Sequence, residues 1–445
     1  MIYDYYKQFP DVHPNIILKA ELNRLGQSFT KEALDKFKIR DDIHWKGYHL
    51  FSYDVADPIF YGAKIPNTFN LEDGSSVYER TNPESPYYID YRDGRFVITE
   101  KGEIIADNLR FHPKPRWYDM KLEDGTPMQA IINYVAGGVL FCTFNKYCEL
   151  WNAHDECLFC DINAQMRGQR DSKDEVIVAR KDPKVITEVM KVIRSVDPQC
   201  WCIYISGGTI LGKYQGQTEV EFYATRLEAL REGMGGTWLP SVVQIAVQDD
   251  AGWKRLYETG VSSVQSNIEV WGKEMFEWLC PGKKKFFGWD NWIRGVLRSV
   301  DFWGEGKVNP SFVLGLDMAQ PHGFKDVKSA VKNFASGIDF LMDHGVVPRY
   351  AYWTIEPKSA LRDNQSPPLE YYIEAEKAYA EIRWKHNYDP PIPATWSRFG
   401  YIHSAIWDFE YYHGSGPYSK KYQDAAGGPS EHEICRPGDG FGFKA

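Results

Sequence analysis

The sequence contains no long apolar run. No stretch of the 445 residues approaches the roughly 20 consecutive apolar residues that a membrane-spanning helix requires. Basic runs are also missing, and 52 Lys and Arg against 61 Asp and Glu give a formal net charge of −9, which disfavours a nucleic-acid partner. The polar and aromatic first residues do not have the pattern of a signal peptide. We therefore expect a cytoplasmic protein with neither a membrane nor a nucleic acid as partner.

Cysteine is scarce, and histidine pairs that would bind a metal are missing. The chain has 8 cysteines, too few for a disulfide framework in a chain of this size, and four of them fall between positions 142 and 160. No His-x-His pattern follows any predicted strand, which argues against a metal-dependent hydrolase on a barrel. The clustered cysteines instead predict a metal centre made of thiolates.

The first part of the chain has a mixed helical and strand pattern. Residues 15–38 have the apolar spacing of two short helices that are separated near Gly26. Strand-like runs joined by Asp-Gly and Lys-Gly turns occupy 87–91, 95–99 and 103–106. We interpret residues 1–125 as a helical and β-rich N-terminal extension.

Strand and helix patterns alternate through the middle of the chain. The predicted strands are 130–141, 201–206, 241–247, 262–268, 308–316 and 347–354. The predicted helices are 183–196, 217–233, 250–259, 287–302, 325–344 and 369–386. Six strand–helix units in series predict an α/β fold with a complete or partial TIM-type β/α barrel, in which ligands bind at the carboxyl ends of the strands. We assign the barrel to residues 126–365 and an irregular, aromatic C-terminal cap to 366–445.

The cysteines of residues 141–165 have the spacing C-x5-C-x8-C-x2-C, ending in Cys157-Leu-Phe-Cys160. Two cysteines separated by two residues can bind one metal ion or cluster, and thiolates favour zinc or iron–sulfur. A zinc site would need a fourth ligand, for which His154 is the candidate. A [4Fe–4S] cluster with three thiolates leaves one iron free to bind a cofactor directly. From the residues alone both centres remain open.

This cysteine segment resembles the radical S-adenosylmethionine (radical SAM) superfamily. The usual pattern there is C-x3-C-x2-C after the first barrel strand, with an aromatic residue before the last cysteine, and Phe159 occupies that position. The resemblance implies that Cys148, Cys157 and Cys160 bind the cluster, although eight residues instead of three separate the first two. Cys142 competes with Cys148 as the first ligand. We favour Cys148 because Cys142 lies in or beside the predicted strand.

Two further elements strengthen the resemblance. Ser206-Gly207-Gly208-Thr209 follows the second strand. In the family, a glycine pair at this place binds the amino group of S-adenosylmethionine. Family members often have an acidic residue at the position that Thr209 occupies here. Asn267 and Glu269 lie two apart on the fourth strand, so we expect both on one face. They resemble residues of biotin-synthase-like members that contact the cofactor's ribose or carboxylate. The resemblance thus implies cofactor binding by Phe159, Ser206–Thr209, Asn267 and Glu269; an ordinary turn and a strand-end cap are the structural alternatives.

The resemblance also implies the chemistry. An oxygen-sensitive [4Fe–4S] cluster, supplied with an electron by a donor such as flavodoxin or ferredoxin, would cleave S-adenosylmethionine to methionine and a 5′-deoxyadenosyl radical that abstracts hydrogen from a small-molecule substrate. The long cysteine spacing leaves aminocarboxypropyl transfer as one alternative. The other alternative is a non-catalytic binding protein whose fold is stabilised by a structural zinc ion. The sequence indicates no catalytic residue, substrate or oligomeric state.

Several residues outside these motifs have two interpretations. Gln244, Gln248 and Arg349 are candidates to point into the barrel, and a buried Arg349 would bind a carboxylate or form a structural ion pair. Cys280, at the end of a helical segment, is an isolated buried thiol, a redox-active thiol or a ligand of a second cluster. The remaining candidates for a second cluster are Cys200, Cys202 and Cys435.

Overall fold

The computed structural model describes residues 1–45, 65–164, 178–388 and 403–415. The described helices are α1 Ile2–Gln8, α2 Pro14–Leu25, α3 Lys31–Lys38, α4 Pro183–Val196, α5 Glu219–Gly233, α6 Asp250–Tyr257, α7 Lys273–Leu279, α8 Pro281–Phe286, α9 Trp289–Trp303, α10 Val327–Asp343, α11 Leu369–Lys385 and α12 Ile406–His413. The described strands are β1 Ser28–Phe29, β2 Thr68–Asn70, β3 Ser76–Tyr78, β4 Tyr87–Arg92, β5 Arg95–Glu100, β6 Glu103–Ala106, β7 Asn133–Tyr134, β8 Val139–Asn145, β9 Cys202–Gly207, β10 Ser241–Gln244, β11 Ser263–Gln265, β12 Ser311–Leu314 and β13 Arg349–Tyr352. None of these helices is both long enough and apolar enough to cross a bilayer.

The two helices predicted within 15–38 are confirmed. The first, α2, has proline at its first position and ends at Gly26, whose backbone φ of 73° favours glycine. The second, α3, begins after Thr30, whose hydroxyl accepts a hydrogen bond from the Ala33 N–H at 3.3 Å. A short strand, β1, separates them and joins a sheet of order β1-β4-β5-β6. The β-rich character predicted for this part of the chain is therefore confirmed.

Six parallel strands form the centre of the molecule. Strands β8, β9, β10 and β11 pair in sequence order, and β12 pairs with β13. Two parallel bridges, Val264 to Val308 and Glu269 to Phe312, connect these two sheets. Within the described ranges no closed barrel is detected, because β13 does not pair with β8. The protein thus has the α/β fold and the partial barrel that the sequence predicts.

The predicted strands all have somewhat different limits in the structure, and two of these differences affect the candidate site. The run 130–141 is not one strand, because Gly137 and Gly138 have φ angles of 53° and 84° and form a turn between β7 and β8. Strand β8 is therefore longer at its carboxyl end than predicted and includes Cys142. Strand β11 ends at Gln265, three residues before the predicted limit, and this changes the position of the polar residues that follow it.

The outer face of the strands packs against the helices. Phe312 of β12 contacts Phe334 of α10 with ring centroids 5.8 Å apart, and Tyr350 of β13 contacts Tyr379 of α11 at 5.0 Å. Because successive side chains of a strand alternate between its faces, the neighbours of Phe312 and Tyr350 along each strand point into the barrel. These neighbours include Ser311 and Arg349. The interior of the partial barrel is thus lined by one alternating set of residues.

The first and last described segments contact each other. Lys19 of α2 forms a buried ion pair with Asp408 of α12 at 2.8 Å, and the ring of His13 stacks on Tyr412. Most of the predicted cap, including Cys435, lies outside the described residues. The domain limits at 125 and 365 stay predictions.

Candidate metal centre

The three cysteines predicted to bind a cluster lie in the loop that follows β8, at the carboxyl ends of the parallel strands. Cys148, Cys157 and Cys160 are half-buried. The other described cysteines are fully buried: Cys142, Cys200, Cys202 and Cys280. None of these described cysteines forms a disulfide bond. Accessible thiols are thus confined, in the described chain, to the mouth of the barrel.

The three sulfur atoms are close enough to influence one another's ionisation. Burial raises the pKa of Cys148 to about 11, and the charge of Cys157 adds to this increase. In the described ranges, however, the sulfur atoms do not all lie within 4.8 Å of one another. Zinc bound tetrahedrally at about 2.3 Å from sulfur would hold its ligands less than about 4 Å apart. His154 is exposed and belongs to no such group of ligands. Rotation about the Cα–Cβ bonds would bring the sulfur atoms closer together, so their spacing does not distinguish a zinc ion from a cluster.

Hydrogen-bond donors surround the sulfur of Cys148. The backbone N–H groups of Leu150 and Thr209 and the hydroxyl of Thr209 all donate to it, which opposes the rise in the Cys148 pKa that burial causes. Donors of this kind stabilise a thiolate, the form of cysteine that binds metals. The donor set of this residue therefore fits an iron–sulfur ligand.

Asn163 fixes the backbone of Cys148. Its side-chain oxygen accepts a hydrogen bond from the Cys148 N–H, and its amide nitrogen donates to the Cys148 carbonyl, both at 2.9 Å. Asn163 is fully buried and lies three residues after Cys160. It therefore connects the two ends of the cysteine loop. Sequence reasoning missed this residue, and its only signal was a carboxamide close after the last cysteine.

Gly208 brings the end of β9 against the cysteine loop. A Cβ atom at this position would lie 2.5 Å from the Tyr147 carbonyl oxygen and 2.6 Å from the Cys148 nitrogen. The Glu149 N–H also donates to the Thr209 carbonyl at 2.9 Å. The glycine motif is thus adjacent to the first predicted ligand. Its role in binding S-adenosylmethionine stays a prediction.

A second contact holds the other end of the loop. Leu158 N–H donates to the Leu279 carbonyl at 2.8 Å, and Gly282 N–H donates to the Asp155 carbonyl at 2.9 Å. These contacts bring Cys280 beside Cys157, and a hydrogen bond from Cys280 lowers the pKa of Cys157. Cys280 is therefore not isolated from the predicted ligands. Sequence spacing could not relate these two cysteines, which are far apart along the chain.

Glu269 lies next to this contact. Its carboxylate accepts a hydrogen bond from Lys283 at 2.7 Å, and both side chains are about nine-tenths buried. Burial by itself would lower the pKa of Lys283, but the charges of Glu269, Cys280 and Cys157 outweigh it and raise that pKa. This lysine therefore stays charged and contributes positive potential beside Cys157.

The expectation that Asn267 and Glu269 share one strand face is wrong. Because β11 ends at Gln265, neither residue is in the strand, and Glu269 has a left-handed φ of 70°. Asn267 accepts hydrogen bonds from Ser311 N–H at 3.1 Å and from Gln265 at 2.7 Å. The structure thus places Glu269 near the cysteines and Asn267 with the side chains of the barrel interior.

The other predicted cofactor residues occupy separate positions. Ser206 is half-buried and pairs with Thr143 of β8. Gly207 contacts the Tyr223 hydroxyl so closely that a Cβ atom would lie 2.3 Å from it. Phe159 is half-buried and packs against the hydrophobic core. The structure therefore brings Gly208, Thr209 and Glu269 to the cysteine loop, which itself carries Phe159.

A hydrogen-bonded network crosses the barrel below this loop. The Tyr204 hydroxyl donates to Gln244 at 2.9 Å and accepts from Gln265 at 2.9 Å. Arg349 donates to Gln265 at 3.3 Å, and its guanidinium carbon lies 5.1 Å from the centroid of the Tyr204 ring. Phe141 stacks on the same ring at 5.3 Å. Gln244 and Arg349 thus point inward, as expected.

Gln248 lies instead at the rim. It donates to the buried Glu219 at 2.9 Å, and Ile210 N–H donates to the same carboxyl group at 3.0 Å. Burial raises the pKa of Glu219 to about 7, although these two hydrogen bonds oppose the increase. A titratable carboxyl group therefore supports the loop after β9.

Comparisons with known proteins give one curated relative and several solved structures. No family model matches the chain. The relative, bacteriochlorophyllide c C-7(1)-hydroxylase of Chlorobaculum limnaeum, is 20% identical over 288 residues, which cover 62% of this chain and 68% of that protein. Methylornithine synthase is 13% identical with a TM-score of 0.37, covering 57% of this chain and 72% of the other.

Two further solved structures match at a similar level. A maturase of the [FeFe]-hydrogenase is 14% identical with a TM-score of 0.39. The match covers 61% of this chain and 56% of the maturase chain. Coproporphyrinogen III oxidase from Escherichia coli, described as a radical SAM enzyme, is 11% identical with a TM-score of 0.33. The match covers 59% of this chain and 56% of the oxidase chain. In its cysteine and glycine motifs and in the partial β/α barrel that carries them, the chain resembles the radical SAM superfamily.

Proposed function

We propose that this protein is a radical SAM enzyme that acts on a small-molecule substrate. The observation that carries the proposal is the arrangement of Cys148, Cys157 and Cys160. They are half-buried thiols at the carboxyl mouth of a partial β/α barrel, in the loop that follows its first parallel strand, β8. Three protein thiolates would leave one iron of a [4Fe–4S] cluster available to S-adenosylmethionine.

The neighbouring residues support binding of that cofactor. Gly208 and Thr209 lie against Cys148, so their backbone carbonyls border the centre. Glu269 borders it beside Cys157. We propose that these residues, with Ser206, Gly207, Phe159 and Asn267, line the cofactor site. Thr209 also stabilises the thiolate form of Cys148, because its hydroxyl donates to the Cys148 sulfur.

When bound, the reduced cluster would supply one electron to the sulfonium of S-adenosylmethionine, which would break the carbon–sulfur bond to methionine and a 5′-deoxyadenosyl radical able to take a hydrogen atom from the substrate. The electron comes from a reductant, for which flavodoxin or ferredoxin is suitable. The protein's contribution is to position the reactants and to exclude water. Arg349, Tyr204 and the adjoining amides hold the barrel interior in one arrangement below the cysteine loop.

The hydroxylase relative bears on the reaction but does not fix the substrate. At 20% identity we do not transfer its pigment substrate to this chain. We propose hydrogen abstraction from carbon as the shared step.

Anaerobic reconstitution tests the proposal. The protein is incubated with iron and sulfide, reduced with dithionite in the presence of S-adenosylmethionine, and its products are separated by chromatography. We expect a brown protein that releases 5′-deoxyadenosine. Cys157→Ala should abolish both properties, whereas Cys200→Ala, which removes a fully buried thiol from the core, should retain them.

The same experiment distinguishes the alternatives. Methylthioadenosine as the product would indicate aminocarboxypropyl transfer instead. A colourless protein that contains one zinc ion per chain and forms neither nucleoside would refute the enzyme assignment. The zinc content is measured by mass spectrometry of the metals on the protein as purified, before reconstitution.

A further inference from the structure

The backbone between α7 and α8 packs directly against the cysteine loop. Leu158 N–H donates to the Leu279 carbonyl at 2.8 Å, and Gly282 N–H donates to the Asp155 carbonyl at 2.9 Å. A Cβ atom at Gly282 would lie 2.4 Å from the Asp155 carbonyl oxygen, so a side chain at this position would displace the loop backbone. The two contacts lie on either side of the second predicted ligand and fix the loop there.

These contacts place the thiol of Cys280 beside the sulfur of Cys157. The Cys280 N–H donates to the Phe276 carbonyl of α7 at 2.8 Å, and the Cys280 carbonyl accepts from the Lys284 N–H of α8 at 2.9 Å. The Cys280 side chain is fully buried. Two helices therefore hold the backbone of this cysteine in place next to the loop.

The two thiols have complementary roles in the hydrogen bond that joins them. Burial raises the pKa of Cys280 well above its usual value, and the neighbouring Cys157 adds to this increase. The hydrogen bond from Cys280 lowers the pKa of Cys157, which burial alone would raise. Cys280 is therefore the protonated donor, and Cys157 is the thiolate acceptor. A thiolate is the form of cysteine that binds iron–sulfur clusters.

The nearby lysine acts on Cys157 in a different way. Lys283 donates to the Glu269 carboxylate at 2.7 Å and to the Asn267 carbonyl at 2.8 Å. Its ammonium group is thus held by oxygen acceptors, and the charge of Glu269 offsets much of its own. Lys283 contributes a partly balanced charge near the loop, whereas Cys280 contacts the sulfur of Cys157 directly.

A hydrogen bond to a ligand sulfur changes the redox chemistry of an iron–sulfur cluster. One-electron reduction adds a negative charge, part of which lies on the ligand sulfurs. A donor at such a sulfur stabilises this charge, so the reduced form is favoured and the reduction potential rises. A thiol fixed beside a predicted ligand is in the position to do this.

We infer that Cys280 donates a hydrogen bond to the sulfur of Cys157 when Cys157 binds the cluster, and that it thereby raises the reduction potential of the centre. The inference rests on the proposed function, since it requires the cluster. Cys280 is a positioning residue, because it acts through Cys157. In the step that it favours, one electron passes from the reductant to the cluster, while the thiol of Cys280 keeps its proton.

The test measures the reduction potential of the reconstituted protein without S-adenosylmethionine. The cluster is reduced stepwise with titanium(III) citrate in the presence of redox mediators, and its reduced form is quantified by electron paramagnetic resonance. Because Cys280→Ala loses a hydrogen bond to a charged acceptor, we expect about tenfold less reduced relative to oxidised cluster at a given potential. For a one-electron couple this is a fall of about 59 mV in the reduction potential. Cys280→Ser keeps a donor, so its potential should not fall below that of the unaltered protein.

Cys200→Ala provides the matched control. Cys200 is also fully buried, but it lies two residues before β9, at the opposite end of that strand from the cysteine loop. Its substitution should leave the reduction potential unchanged. Iron and sulfide analysis of each variant establishes that it carries a complete cluster.

An unchanged potential in Cys280→Ala would overturn the inference, and so would an equal fall in Cys280→Ser, because the donor would then have no effect. Should Cys280→Ala bind no iron, Cys280→Ser decides. A potential at or above that of the unaltered protein supports the inference, and a lower one overturns it. If neither variant binds iron, Cys280 is needed to assemble the centre, which also overturns the inference.

Failure of the proposed function has a different signature. The unaltered protein would then release no 5′-deoxyadenosine, whatever the order of the reduction potentials. Failure of the inference leaves that release intact and removes only the difference in potential between the variants. An unaltered protein that forms no reducible cluster would refute both.

Discussion

Gly208 has no room for a side chain because it lies against the backbone of Cys148. The nearest atoms to a Cβ at this position are the Tyr147 carbonyl oxygen and the nitrogen and Cα of Cys148, at 2.5 to 2.6 Å. All of these are backbone atoms, so no rotamer change can relieve the contact. A substitution must therefore displace either the end of β9 or the first predicted ligand.

We predict that Gly208→Ala lowers the iron content after reconstitution and destabilises the fold by about 2 kcal/mol, as overpacking typically does. Gly212→Ala is the matched control, because a Cβ at Gly212 meets no atom within 4 Å. Iron analysis and urea unfolding measure the two effects. A Gly208→Ala protein with full iron content would show that the contact between β9 and the cysteine loop is dispensable.

Asn163 should matter to the metal centre even though it supplies no ligand. Asn163→Ala removes both hydrogen bonds to the Cys148 backbone, leaving buried groups unpaired at a cost of about 2 kcal/mol or more. We expect the cluster of this variant to be lost faster to an iron chelator, followed as the decay of its visible absorbance. Asn163→Asp retains the acceptor for Cys148 N–H and should be intermediate.

The exposed Asn152, in the same loop, provides the control for this experiment. Asn152→Ala should lose its cluster at the rate of the unaltered protein. Equal rates for Asn163→Ala and Asn152→Ala would mean that the cysteine loop holds its shape without the amide.

Cys142 and Cys148 can be distinguished as the first ligand. Cys142 lies within β8, is fully buried, and its thiol donates to the Ile131 carbonyl at 3.6 Å. We expect Cys142→Ala to keep its iron and to lose only about 1 kcal/mol of stability from the small cavity. Cys148→Ala should lose the cluster. The opposite result in iron analysis and 5′-deoxyadenosine release would make Cys142 the ligand.

Much of the fold could be predicted because its periodic patterns are long. The helix over 183–196 was predicted to the residue, since its apolar face repeats through four turns and Asp182 caps its start. Strand limits were less accurate. Short strands such as Ser263–Gln265 have too few residues for an alternating pattern to define their ends.

Contacts between distant segments could not be predicted. The association of Cys280 with Cys157, and of Lys283 with Glu269, depends on how a helical segment docks on the cysteine loop. Local spacing carries no information on such docking. Glu269 was selected for the wrong reason, because its position follows from a left-handed backbone rather than from strand alternation.

Glu219 predicts a specific dependence of stability on pH. Burial raises its pKa from 4.5 to about 7, so the folded state binds a proton more tightly than the unfolded state does. The stabilisation from this group is complete below about pH 4.5 and is lost as pH rises through about 7, amounting to about 3 kcal/mol at most. We expect Glu219→Gln, which cannot ionise, to flatten the fall in stability over this range.

Two other buried acids require that the effect be measured as a difference. The pKa values of Glu376 and Asp317 are raised by burial to about 7 and about 6, so they contribute to the same fall in stability. Urea unfolding of the unaltered protein and of Glu219→Gln, each from about pH 5 to pH 8, isolates the contribution of Glu219. Glu188→Gln, at an exposed position of α4, should follow the unaltered protein. Parallel curves for the unaltered protein and Glu219→Gln would mean that the Glu219 carboxyl keeps an ordinary pKa, and that the loop after β9 is supported by an ionised acid at neutral pH.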